Sequence, residues 1–163
     1  MALTKIGDAG MPAGAVLQVK TAVDTSYRST TSQTFVVASN TAQVSITPLS
    51  STSKFLILCN GALSANDGND GWYATIFRDS TNLGDSTTGL CHGNSVPATS
   101  ANFFPFSMTV LDSPSTTSAI TYGLRIRNYN ADSDGSATTR LGEHLAGTSN
   151  AIPTHIVVME VAA

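Results

Sequence analysis

The sequence predicts an all-β chain, folded as an antiparallel β-sandwich or jelly roll, and three observations carry that prediction. Several short segments place apolar residues at every second position, the period of a half-buried strand. Between them lie stretches rich in Ser, Thr, Gly, Asn and Asp, residues whose backbone and side-chain chemistry favours turns. No segment of helical length repeats its apolar residues at helical spacing. Composition agrees. Roughly a quarter of the chain is Ser or Thr, and charged residues make up only 12%, about half the usual ~25%. With 41% hydrophobic residues the chain has the apolar content for a core, which excludes a disordered polymer. A length of 163 residues suits one domain better than two.

Residues 1–14, Gly- and Ala-rich without a period, read as an extended N-terminal arm, and 15–163 as a single sandwich domain. In the arm, Leu3, Ile6, Met11 and Val16 are apolar anchors suited to an interface, and Gly7, Gly10 and Gly14 let the backbone bend around a partner. The segment AVLQVKTAV is the first strand, with Leu17, Val19 and Val23 alternating against Gln18, Lys20 and Ala22. DTSYRSTTS is a polar connection. QTFVVAS and AQVSITP follow as strands, the second with Val44 and Ile46 on one face. KFLILCNGAL is the most continuously apolar segment and reads as the central strand. GWYATIFRD turns through STN into LGD as a hairpin, and residues 86–102 read as loop. FFPFSMTVLD is a strand whose Pro105 argues for a sheet edge or a bulge. AITYGLRIRNY alternates Ile120, Tyr122, Leu124 and Ile126 against Thr121, Arg125 and Arg127, ATTRL is a short strand, and THIVVMEVA closes the chain. Eight or nine such strands suit a sandwich.

The residues offer little to enzyme chemistry. No G-x-S-x-G elbow, P-loop or dinucleotide fingerprint is present, so no catalytic residue and no cofactor is expected. His155 falls in the last strand as a face residue. Cys91-His92 lacks a second pair at zinc spacing, and Glu143-His144 sits in a Gly-flanked loop. Asn130, Asp132, Asp134 and Gly135 match the start of a calcium loop, but Leu141 stands where its closing Glu belongs, so a turn is expected and no metal. Asp67 and Asp70 read the same way. Cys59 is expected as a small buried hydrophobe, and a single Cys59–Cys91 bridge is open but unneeded. Trp72, Tyr73, Phe77, Phe103, Phe104 and Phe106 are expected in the core, any exposed subset serving sugar stacking or a subunit contact. A net charge of −3 and scattered basic residues give no basis for binding nucleic acid. No apolar run reaches the ~20 residues of a membrane-spanning helix, so no membrane insertion is expected. The N-terminal MALTKIGDAGMPAG lacks the apolar stretch of a signal peptide, which implies synthesis in cytoplasm.

The stretches SITPLSSTSKFLIL, LDSPSTTSAITYGL and the closing VVMEVAA resemble a domain widespread in tailed bacteriophages. It is similar to the small β-sandwich heads of phage tail fibres and of other virion structural proteins, over about residues 14–163. The resemblance implies a non-enzymatic, homotrimeric part on the exterior surface of a virion. Fibre heads follow a shaft, whereas only about fourteen residues precede the first strand here. That departure favours a capsid decoration or cement protein contacting the major capsid protein or other virion proteins. The alternatives are a tail-fibre head that holds host surface glycans, and an unrelated binding domain or hydrolase.

Overall fold

The structure is a computed structural model that describes residues 11–65, 71–94, 102–129, 138–142 and 151–163. Leu3 and Ile6 of the arm, Asp67, Asp70, the 130–135 loop, Glu143 and His144 lie outside the described residues. Twelve strands form among those described: β1 (Val16–Asp24), β2 (Arg28–Thr30), β3 (Val36–Val37), β4 (Gln43–Ile46), β5 (Lys54–Ala65), β6 (Gly71–Arg78), β7 (Thr81–Asn82), β8 (Cys91–Asn94), β9 (Asn102–Asp112), β10 (Ile120–Tyr129), β11 (Thr139–Leu141) and β12 (Thr154–Val161). There is no helix among the described residues.

KFLILCNGAL is central, as its continuous apolar run suggests, because β5 is paired along both edges. β9 runs along one edge, and β12 and then β11 run along the other. β1 pairs β12 and β2 pairs β11, which makes them one outer row. In the second sheet β10 lies between β6 and a row made of β3 and β4, while β7 and β8 border β6. Joined end to end, these strands make eight rows, all paired antiparallel. Numbered along the chain, the rows run 1-8-3-6 in the first sheet and 2-7-4-5 in the second. That order is a jelly roll, two sheets packed face to face by crossing connections. Pro105 lies on β9, which pairs only β5 among the described residues, so the proline marks an edge.

The core lies between the sheets. From the first come Phe55, Ile57, Cys59, Ile156 and Val158, and from the second Trp72, Ile76, Tyr122, Leu124 and Ile126, all buried. Their strands alternate as the sequence indicates: Val44 and Ile46 are buried and Ser45 is exposed. Three readings are corrected. β1 is inverted in phase: Val19 and Val23 face solvent at 53% and 45% exposure, while Gln18, Lys20, Ala22 and Asp24 face the second sheet. This row sits at the sandwich margin, where an inward polar side chain can reach the backbone of the opposite sheet. The other two corrections are β2, inside the supposed polar connection, and β8, inside the supposed loop of 86–102. Neither carries an apolar alternation, and both exist through pairing with β11 and β6.

Polar side chains close the margins. The fully buried Glu160 carboxyl accepts hydrogen bonds from the Leu49 N–H at 2.7 Å and from the Gln18 amide, which also donates to the Thr47 carbonyl at 2.9 Å. The Lys20 ammonium donates to the Ser45 carbonyl at 2.9 Å. At the opposite margin Arg78 of β6 donates to both carboxylate oxygens of Asp112 of β9, at 2.8 and 2.7 Å. The Tyr122 hydroxyl donates to the same carboxylate at 2.8 Å. Burial, and then that bond, push the Tyr122 hydroxyl far above the ordinary tyrosine range and keep it a donor.

Asp24, only 4% exposed, ends β1. Burial acts to raise its pKa. Hydrogen bonds from Ser39, the Ser26 N–H, Arg28 and Thr41 outweigh burial and hold it below the ordinary aspartate value. A depressed folded-state value means that the carboxylate stabilises the fold fully above the unfolded value, roughly pH 3.9, and loses that contribution as pH falls through the folded one. Asp24→Asn is therefore expected to cost about 1–3 kcal/mol at pH 7. Urea titrations of both proteins across pH 2–7 check this, with the difference shrinking below about pH 4.

Candidate functional site

The reactive side chains among the described residues do not converge. His92 is exposed on β8, 5.8 Å ring to ring from Tyr73, and His155 is exposed on the outer face of β12. No group of three or more His, Cys, Asp or Glu among the described residues could hold a metal ion. Both cysteines are free. Cys59 is fully buried, and burial followed by the nearby Cys91 pushes its thiol up to about 12. Burial raises Cys91 to about 11. Nucleophilic attack needs the thiolate, so neither thiol is primed for it at neutral pH.

What the fold does assemble is surface, and the first sheet builds the more unusual one. Side chains directly opposite each other in antiparallel strands share a face. Val19 of β1 pairs with Met159 of β12, Met159 with Leu56 of β5, and Leu56 with Leu111 of β9. These four make an apolar stripe across the whole outer face of the sheet, with Val19 53% and Leu111 62% exposed. Val157 and Leu58 lie in the next row on one side, and Val161 and Val16 on the other. Val16, an interface residue expected from the sequence, is therefore at the end of this face and 50% exposed. A Leu or Val on an outward strand position is unremarkable singly; a stripe four strands wide is not.

Met11, the other described residue expected at an interface, lies elsewhere. Residues 12–15 form a turn in which the Ala15 N–H reaches the Pro12 carbonyl, and Gly14 supplies a φ of 85°. The Gly14 N–H and the Ala162 carbonyl, 2.8 Å apart, tie that turn to the C-terminal strand. Met11 then lines a hollow of about 340 Å³ with Leu17, Ser50, Thr52 and Ala163.

The second sheet's outer face is aromatic and cationic. Trp72 and Phe106 are buried as expected, but Tyr73 and Phe77 point the other way from Trp72, outward, because β6 alternates. The Arg125 guanidinium lies 4.4 Å from the centre of the Phe77 ring. The Arg127 guanidinium lies between Tyr73 at 4.4 Å and Phe35 at 5.5 Å. It also donates to the carbonyls of Gln33, at 3.0 Å, and Thr87. The Gln33 bond holds the β2–β3 connection against this face, and the Thr87 bond holds the β7–β8 connection. Gly89 permits the approach, with a φ of 69° and space so tight that a Cβ would sit 2.5 Å from the Ala74 carbonyl oxygen. The one close pair of basic residues in the chain is thus engaged within its own sheet. Tyr129, 40% exposed and edge-on to Tyr73 at 5.7 Å, is the aromatic that remains open to solvent.

No family model matches the chain, and no curated protein does. Among solved structures it is similar to infectious bursal disease virus particles. Against the Gt strain the identity is 16% and the TM-score 0.41, over 93% of this chain and 39% of that one. Against the VP2 subviral particle of the same virus the values are 17% and 0.38, over 90% and 38%. Against its T=1 particles they are 17% and 0.39, over 90% and 36%. The chain spans about two fifths of the length of the solved structures it matches. Its jelly-roll order stands on its own strand pairings.

The thiols give a direct check on this arrangement. At pH 8 a thiol with pKa about 11 is about one-thousandth thiolate, and a free one roughly a hundred times more. In a timed reaction with a chromogenic disulfide, native Cys91 is expected to react at least about a hundredfold more slowly than in urea, and Cys59 only on global unfolding.

Proposed function

We propose that the chain is a non-enzymatic virion structural protein, acting as a capsid-surface decoration that stabilises a phage head by bridging its subunits. The observation that carries this reading is the pairing of a jelly-roll strand order with an apolar stripe across the outer face of one sheet. The strand order is one that viral capsid and lectin domains use. An outward stripe of this kind is a surface for protein, since exposed contiguous apolar area is rare on solitary domains. The separation of His92 from His155 and the two high-pKa thiols support a role without catalysis. The sequence resemblance supports the phage setting and an exterior, homotrimeric assembly contacting the major capsid protein.

A second reading, a tail-fibre head that holds host glycans, has Tyr129 in its favour. An exposed ring edge-on to Tyr73, which His92 flanks in turn, is the kind of platform on which a sugar ring stacks. Imaging of purified particles separates the two. Decoration requires hundreds of copies on the head, while a handful at the tail favours the second reading.

The arm supplies the functional test. Deleting residues 1–12 removes all four sequence-predicted anchors except Val16 and leaves the Gly14–Ala162 tie in place. The truncated protein is expected to keep its melting curve and to lose occupancy on undecorated heads. Full occupancy with an unchanged melting curve would move the assignment to the tail.

A further inference from the structure

We infer that the hollow between the N-terminal turn, β1 and the β4–β5 loop is a binding site for one uncharged sugar ring. It lies at the opposite end of the sandwich from Tyr129, because Ser53 precedes the start of β5 while Tyr129 pairs Gly71 beyond its end. The site goes beyond the virion reading and depends on neither of its two forms.

Three features build the site. The first is a bulge. Val16 pairs Val161 and Gln18 pairs Glu160, so Leu17 is an extra residue in β1, and its half-buried side chain lines the hollow. A bulge re-aims a side chain in this way. The second is a fixed loop. Glu160 accepts from the Leu49 N–H, Gln18 donates to the Thr47 carbonyl, and the Ser53 N–H donates to the Ser50 carbonyl at 3.2 Å. These bonds hold Ser50, Thr52 and Ser53 in the wall that they share with Met11 and Leu17. The third is a hydroxyl without a partner. Ser53 is 2% exposed, and its Oγ makes no hydrogen bond. A buried hydroxyl left unpaired costs stability, so one kept at the edge of a hollow marks a place where a ligand can pair it.

The chemistry of the wall selects the ligand. At about 340 Å³ the hollow is far larger than the roughly 15 Å³ that one water needs, and it falls within the range of ligand pockets. No ionisable side chain lines it, so an ionised ligand would find no counter-charge there. Hydroxyls donate and accept alike, which suits partners that are hydroxyls themselves. Met11 and Leu17 supply aliphatic surface for C–H groups. A neutral sugar ring carries both kinds of surface on one compact body. Thr52 and Ala163 are exposed, so the hollow opens to solvent on their side.

The test uses the whole chain, with the methyl glycosides of glucose, galactose, mannose and N-acetylglucosamine as probes and glucuronate and glucosamine as charged controls. Ligand-observed nuclear magnetic resonance and calorimetry should find at least one neutral glycoside bound one to one, with a Kd on the order of 1 mM, and neither control bound. Ser53→Ala should weaken that binding at least about tenfold without lowering the melting temperature, because the hydroxyl makes no bond in the free protein. Thr52→Trp, at an exposed position, should block the hollow and abolish binding. If Ser53→Ala fails to fold, Thr52→Trp carries the readout. No binding of any neutral glycoside would overturn the proposal, as would binding that the charged controls share. Binding that survives both variants, the result expected of a site at Tyr129, would overturn it too, and so would capture of a free peptide of residues 1–10 in place of every sugar.

Discussion

The structure depends on β5 being hydrogen-bonded along both edges. On one side it is matched residue for residue with β9 from Phe55 opposite Asp112 to Ala65 opposite Asn102. On the other it is shared between β12 and β11. A strand with no free edge fixes the register of every neighbour, and a one-residue slip would turn each neighbour's buried set to solvent. With Phe55, Ile57 and Cys59 held inward, Ile156 and Val158 must face inward opposite them, and the second sheet has one level at which Tyr122, Leu124 and Ile126 fit.

That constraint explains which parts of the fold were legible in the sequence. β5, β6, β10 and β12 declare themselves because central strands carry long apolar runs or clear alternation, and Pro105 correctly marked β9 as an edge. β8, with the sequence CHGN, has no such pattern; it is a strand only because β6 presents an unpaired edge to it. β1 shows the reverse difficulty. Its alternation is strong, but which phase faces inward is decided by partners 20 or more residues away, Thr47, Ser45 and Glu160. Residue type alone puts Tyr73 and Phe77 in the core, although their odd spacing from Trp72 places them on the opposite face. The stripe was the least visible feature. Its members come from four segments spread between Val19 and Met159, and only the register assembles them.

The polar closures and the apolar face belong to one arrangement. At the margins, where the sheets diverge, a purely apolar contact would leave backbone groups facing a low-dielectric gap. Glu160, Gln18 and Lys20 satisfy them instead at one margin, and at the other the Arg78–Asp112 pair joins the two sheets side chain to side chain. Polar side chains are therefore concentrated where the two sheets are stapled, and fewer remain for the outer surface of the first sheet. In the second sheet Arg125 and Arg127 are spent on aromatic rings and carbonyls. Among the described residues, much of the sparse charge of this chain, 12% of its residues, is thus engaged in internal contacts.

Pro105 has a consequence for the ends of the sheet as well as for its identity as an edge. A proline fits an antiparallel ladder only where its nitrogen points away from the partner strand. Opposite Ala62, that nitrogen faces the side of β9 that has no partner strand among the described residues, and it offers no donor there. A foreign strand trying to extend the sheet would meet a gap in the middle of its template, and the row of main-chain groups that nucleates fibres is interrupted. Growth by adding strands has no natural stopping point, whereas a contact between faces is used up once made. For a protein crowded at high local concentration, a single missing N–H helps to keep association finite.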